Sequence, residues 1–208
     1  MAEYTFFTNP MSRGQIARWA LHEAGAEYDQ VLVDWTAKPA ALLAANPMGK
    51  VPTLIHHSAS GDQVITECAA ICAYLAEAHP SAGLLPSANE RGAYHRWMFF
   101  AAGPVETAVT TKALGLDLPP EKEGMAGWGN FDRTMAALDG HLATNAFVCG
   151  DRFTMADVYV GSQVDWGLAF GSIPTTDAFT AYAERLRGRD GYKSAKAIDN
   201  ALIAEAQK

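Results

Sequence analysis

The residues best placed to do chemistry lie in two short segments, Asn46-Pro47-Met48-Gly49-Lys50-Val51-Pro52-Thr53-Leu54 and Thr66-Glu67-Cys68-Ala69-Ala70-Ile71. A proline in what otherwise reads as the start of a buried strand lacks the N–H that a ladder needs. It therefore belongs at a strand's first residue or edge. The Val51-Pro52 bond is a candidate cis peptide, which would turn the backbone groups of Val51 outward. Outward-facing N–H and C=O groups can pair with an extended peptide, as an added strand does. Glu67 and Cys68 open a helix, where free N–H groups favour an anion. Peptide-like pairing and carboxylate capture are thus expected side by side.

The elements that must position these groups follow from periodicity and from Pro and Gly breaks. Tyr4 to Thr8 reads as a short strand stopped by Asn9-Pro10. Ser12 can cap a helix that carries Ile16, Trp19, Ala20 and Ala24 and ends at Gly25. Tyr28 to Asp34 is the next strand, and Pro39 to Ala45 a short helix. Val51 to His57 and Gln63 to Ile65 form a hairpin around Ser58-Ala59-Ser60-Gly61. Glu67 to Ala78 is a helix with Ile71, Tyr74, Leu75 and Ala78 on one face. Two strands joined by a helix should be parallel, and the hairpin adds an antiparallel edge. This order fits a thioredoxin-like domain and also other small α/β units.

His79 to Pro86 is a linker by its Pro and Gly content. After it the β signal disappears. Helices are expected over 90–116, 128–143, 155–170, 176–186 and 193–206, with a break at Gly115-Leu116-Asp117-Leu118-Pro119-Pro120. The expected division is a thioredoxin-like α/β domain over 1–79, a linker over 80–88 and an all-helical bundle over 89–208. Phe153-Thr154-Met155-Ala156-Asp157 reads as a capping box with Phe153 and Val158 as its staple, a structural device and not a site.

Composition bounds the partners. Hydrophobic residues are 49% and charged residues 19%, enough for a real core, and the net charge is −7. An acidic chain is a poor candidate for nucleic acid or an anionic membrane. The three cysteines, Cys68, Cys72 and Cys149, do not make a secreted disulfide framework. Met1-Ala2-Glu3-Tyr4 has no signal-peptide character. No apolar run reaches the roughly 18 residues of a membrane span. A cytoplasmic protein is the simplest reading. His56 and His57 are adjacent strand residues that point to opposite faces. The other histidines lack mutual ligand spacing, so no metal is expected.

The Val51-Pro52 turn with Glu67-Cys68 resembles the glutathione transferase family, of bacterial type. The resemblance spans most of the chain, and the family carries a capping box where Thr154 and Asp157 stand. The serine of the family's Glu-Ser pair is replaced here by Cys68. The resemblance implies glutathione as co-substrate. Val51 would pair with its cysteinyl unit, beside a cis Pro52. Glu67 would meet the γ-glutamyl ammonium, and Cys68 with the helix N–H groups its carboxylate. A thiol donates more weakly than a hydroxyl, so the backbone carries more of that contact. Lys50, and less directly Lys38, would meet the glycine carboxylate. Each has a plainer reading: a trans edge proline, a helix-start carboxylate, a small buried thiol, a solvated lysine.

Catalysis in that family requires the thiolate. A free thiol with a pKa of about 8.5 is mostly protonated at neutral pH. The family's donor is a tyrosine, serine or cysteine between the first strand and first helix. Counting back from Arg18-Trp19 and Ala24-Gly25 places Phe7 where the tyrosine classes have their hydroxyl, which excludes that donor. Ser12 is the expected catalytic residue, with Thr8 and Asn9 as alternative donors and a helix cap as its plain reading. Asn9 also counts among the glutathione-binding residues. The electrophile is expected between the domains, near Met11, Trp97, Phe100, Val105, Thr110, Trp166 and Phe170.

The function implied is conjugation of glutathione to small hydrophobic electrophiles, in detoxification, by a homodimer. The alternatives are a glutathione-dependent dehalogenase, etherase, isomerase or peroxidase, or a non-enzymatic binding protein.

Overall fold

A computed structural model of the protein describes residues 2–116 and 118–208. Met1 of the N-terminal segment and Asp117 of the expected loop break lie outside the described residues. The chain clusters into two compact units, one running to Leu84 and including Gly188–Lys208, the other Leu85–Arg187.

The first unit holds one sheet in the order β2-β1-β3-β4. Its strands are β1 (Tyr4–Thr8), β2 (Tyr28–Leu32), β3 (Thr53–Ser58) and β4 (Gly61–Thr66). β1 runs parallel to β2 and antiparallel to β3, and β3 pairs antiparallel with β4. The βαβ-plus-hairpin reading therefore holds, and the sheet has the thioredoxin-like arrangement. Helices α1 (Gly14–Ala24), α2 (Ala40–Ala45) and α3 (Cys68–Ala78) connect or follow the strands. Gly25 ends α1 in the left-handed region, with φ 67°. The buried face of α3 is Cys68, Ile71, Cys72, Leu75 and Ala76, whereas Ala78 is exposed. The face expected from Ile71, Tyr74, Leu75 and Ala78 is thus rotated toward the two cysteines.

The last helix belongs by its contacts to this unit. α9 (Asp190–Ala206) packs on α1, although its place in the sequence put it in the expected 89–208 helical domain. The reason is a set of polar clasps. Arg18 is fully buried. Its Nε donates to Asp199 Oδ1 at 2.9 Å and its Nη1 to the Tyr28 hydroxyl at 2.9 Å. Glu23 accepts from Arg189 at 2.8 and 2.7 Å, and Gln15 from Lys196 at 2.5 Å. Breaking a buried pair by removing one partner costs about 3–5 kcal/mol, because the other charge stays buried.

The second unit is helical. It contains α4 (Arg91–Phe100), α5 (Glu106–Ala113), α6 (Phe131–Leu142), α7 (Met155–Phe170) and α8 (Asp177–Arg187). α4 and α5 were expected as one helix. A π-helical turn, Ala101–Val105, joins them at Gly103-Pro104. Proline has no N–H to give an α ladder, so the hydrogen-bond spacing slips there. The α7 start carries the expected capping box. Asp157 accepts from the N–H groups of Val148 and Thr154 and from the hydroxyls of Tyr182 and Thr154, at 2.8–3.1 Å. Burial still pushes its carboxyl above the ordinary range against those donors.

Candidate functional site

The strand register gathers the functional segments at one end of the sheet. Thr53, the first residue of β3, lies opposite Phe7 on β1 and Thr66 on β4. Pro52 before it, Thr8 at the end of β1 and Glu67 just after β4 therefore share one edge.

The Val51-Pro52 peptide is cis. The Val51 side chain packs against the buried cluster of Phe7, Val33 and Leu42. Its backbone N–H and C=O have no partner among the described residues. The turn that presents them is held from behind. Asn46 Nδ2 donates to Lys50 C=O at 3.2 Å and to Thr53 Oγ1 at 3.1 Å, and Thr53 Oγ1 donates to Lys50 C=O at 2.9 Å. Gly49 has φ 58°, and a Cβ there would stand 3.1 Å from Lys38 Nζ. The Lys38 ammonium thus reaches the turn at Gly49. Both side chains are exposed, and neither ammonium has a carboxylate partner among the described residues.

Glu67 is the described non-glycine residue with positive φ (65°), a conformation that stores strain and is held only by its surroundings. Its carboxylate is exposed and unpaired among the described residues, while its carbonyl accepts the Ile71 N–H at 2.9 Å. The N–H groups of Ala69 and Ala70, in the first turn of α3, have no partner among the described residues. Cys68 is buried, and its thiol donates to the Arg13 carbonyl at 3.6 Å. That contact ties the α3 start to the α1 start, 55 residues earlier.

The β1–α1 loop separates its three candidate donors. Thr8 Oγ1 is fully buried and has no hydrogen-bond partner among the described residues. A Cβ at residue 14 would fall 2.1 Å from it, so Gly14 is what lets the helix start approach the strand end. Asn9 uses both ends of its amide inside the loop: Nδ2 donates to Val33 C=O at 3.0 Å and Oδ1 accepts the Met11 N–H at 2.9 Å. Ser12 is half-buried. Its hydroxyl donates to Asn9 C=O at 2.6 Å and accepts the Gly14 N–H at 3.0 Å. Phe7 is a core residue.

Of the residues expected near an electrophile, Trp97 and Val105 are buried in the helical unit, where Trp97 stacks on His141 at 4.2 Å and meets Phe100 edge-on at 5.2 Å. They are core and not a lining. Met11, Thr110 and Phe170 are exposed and Trp166 is half-buried. Among the described residues, no group of three His, Cys, Asp or Glu side chains could hold a metal ion. No described helix is long and apolar enough to cross a membrane.

Two family models match the chain. Residues 2–77 fit the glutathione S-transferase N-terminal domain and residues 93–166 the glutathione S-transferase C-terminal domain. This chain belongs to the glutathione S-transferase family. Glutathione S-transferase GstA of Escherichia coli O157:H7 is 25% identical over 97% of this chain and 98% of its own length. Maleylacetoacetate isomerase of Rhizobium meliloti is 29% identical over 86% of this chain and 88% of its own. A sphingomonad glutathione S-transferase complexed with glutathione superposes with a TM-score of 0.74 at 28% identity, covering 94% of this chain and 98% of its own. In this family member the Ser12 loop, the Val51 turn and the α3 start all lie at the same end of the sheet.

Proposed function

We propose that this protein binds glutathione along the Val51-Pro52 turn and conjugates its thiolate to small hydrophobic electrophiles. The observation that carries the reading is Val51: its side chain packs against the buried cluster while its backbone N–H and C=O have no partner among the described residues. A cysteinyl unit can pair with them as an added strand. The γ-glutamyl end would then meet Glu67 through its ammonium and the Ala69 and Ala70 N–H groups, with Cys68, through its carboxylate. Lys38 and Lys50 would take the glycine carboxylate. Asn9 would serve through the loop it holds.

Ser12 would stabilise the thiolate by redirecting its hydroxyl hydrogen from Asn9 C=O to the sulfur. The N–H end of α1 favours the same charge. A donor that strengthens toward the thiolate raises the reactive fraction at neutral pH. The exposed Thr110 and Phe170 and the half-buried Trp166 of the helical unit are our candidates for contact with the electrophile. We further propose a cytoplasmic homodimer, for which sedimentation at micromolar concentration is the check; a monomer would refute the dimer.

Isomerisation is the second reading, favoured by the similarity to the Rhizobium maleylacetoacetate isomerase. It uses the same thiolate with no net consumption of glutathione. The test is calorimetry with glutathione followed by a panel of electrophiles and a cis-enone dicarboxylate. Saturable binding with loss of glutathione supports conjugation, and product without loss of glutathione supports isomerisation. Absence of glutathione binding overturns both.

A further inference from the structure

The helical unit contains a crevice of about 390 Å³ between α5, the loop that follows it and the first turn of α6. That volume is in the range of small-molecule sites. Its apolar walls are Leu116, Leu118, Trp128 and Phe131. The wall next to α6 is tied down at Glu123, Trp128 and Asn130. Glu123 Oε2 accepts from Asn130 Nδ2 at 3.0 Å and from Arg133 Nη2 at 3.1 Å. Asn130 Oδ1 accepts the Arg133 N–H at 2.8 Å, and the Thr134 hydroxyl donates to Trp128 C=O at 2.7 Å. Glu123 is therefore already neutralised by its neighbours.

Two charges at the crevice are not. Lys112 Nζ lies 3.6 Å from the centroid of the Phe131 ring. No carboxylate among the described residues pairs with it, and no cation among them pairs with Asp132. The two side chains line the same crevice without bridging each other. A ligand of one sign would meet a like charge there. A zwitterion with an apolar body would meet none.

We propose that this crevice is a second binding site, for an aromatic α-amino acid. Its carboxylate would lie on Lys112, its ammonium on Asp132 and its ring against Trp128, Leu116 and Leu118. All lining residues belong to the helical unit, so occupancy does not depend on the glutathione reading.

Equilibrium dialysis of the full chain with labelled L-phenylalanine tests this, run with and without excess glutathione. Glutathione is included because the site proposed for it would accept an α-amino acid end. 3-Phenylpropanoate and phenethylamine, each lacking one charge, are the controls. L-Phenylalanine should bind about tenfold more tightly than either, with glutathione present or absent. Lys112→Met and Asp132→Asn should each reduce its affinity to that of the controls. Both side chains are exposed, and unchanged thermal unfolding would show that the variants fold. No binding of L-phenylalanine at millimolar concentration, equal binding of either control, displacement by glutathione, or binding that survives both substitutions would overturn the proposal.

Discussion

The starts of α7 and α1 each carry a hydroxyl, and the two are built to opposite ends. At α7, Thr154 and Asp157 are fully buried, and every oxygen of Asp157 accepts from a neighbouring N–H or hydroxyl. At α1, Ser12 is half-buried and holds one internal acceptor and one internal donor. The first arrangement leaves no group to exchange with a ligand. The second can trade the Asn9 carbonyl for another acceptor at little cost, because water and loop backbone can satisfy what is given up. Hydroxyl chemistry at a helix start is structural or functional according to whether its partners are replaceable.

The comparison breaks first at Asp157. Asp157→Ala would leave two buried N–H groups and the Tyr182 hydroxyl without acceptors. At about 1–3 kcal/mol for each such group, a loss near 4 kcal/mol is expected in urea unfolding. A loss below about 1 kcal/mol would show that the box is not closed as described.

Arg18→Met should rank next, costing about 3 kcal/mol by stranding Asp199 between α1 and α9. Unfolding followed by a probe on α9 reads it.

Ser12→Ala sharpens the contrast. Stability should fall by no more than about 1 kcal/mol, the usual worth of a cap. Turnover should fall about 10²-fold, as for loss of one donor to a developing anion, with glutathione affinity nearly unchanged. Equal losses in binding and turnover would make Ser12 a cap alone.

A smaller effect concerns pH and the helical unit. The Arg152 guanidinium, with the Ser87 N–H, holds the Glu90 carboxyl down to about 2. A depressed carboxyl contributes stability above its unfolded value, and that contribution is lost as pH falls from about 4.5 toward 2. Arg152 is well exposed, so solvent screening limits the loss to about 1 kcal/mol. Glu90→Gln should remove this part of the acid transition.

Much of the fold was legible in the chain because local signals end its elements. Asn9-Pro10 stops β1 at Thr8, and the capping box and Gly171 bound α7 at Met155 and Phe170. The clustering of α9 with the first unit was not legible, because the Arg18–Asp199 pair spans 181 residues and no local pattern announces it. The Gly103-Pro104 pair was visible, but the π turn it causes needs the flanking helices to continue on either side.

At the site, the cis Val51-Pro52 turn could be read because it is a local backbone device. The surroundings of Thr8 and Asn9 could not. One is buried by the close approach of Gly14, and the other is consumed by Val33 and Met11 across the loop. Trp97 was misread as lining because an aromatic on a helix has the same spacing whether it faces a core or a ligand.

The central claim is that the α1 start holds glutathione as a thiolate through Ser12. The most direct measurement is the ultraviolet thiolate absorbance of bound glutathione as a function of pH, in the wild type and in Ser12→Ala. The account predicts a bound thiol pKa about two units below the free value of about 8.5 in the wild type, returning most of the way in the variant. The same depressed pKa in both proteins would contradict it.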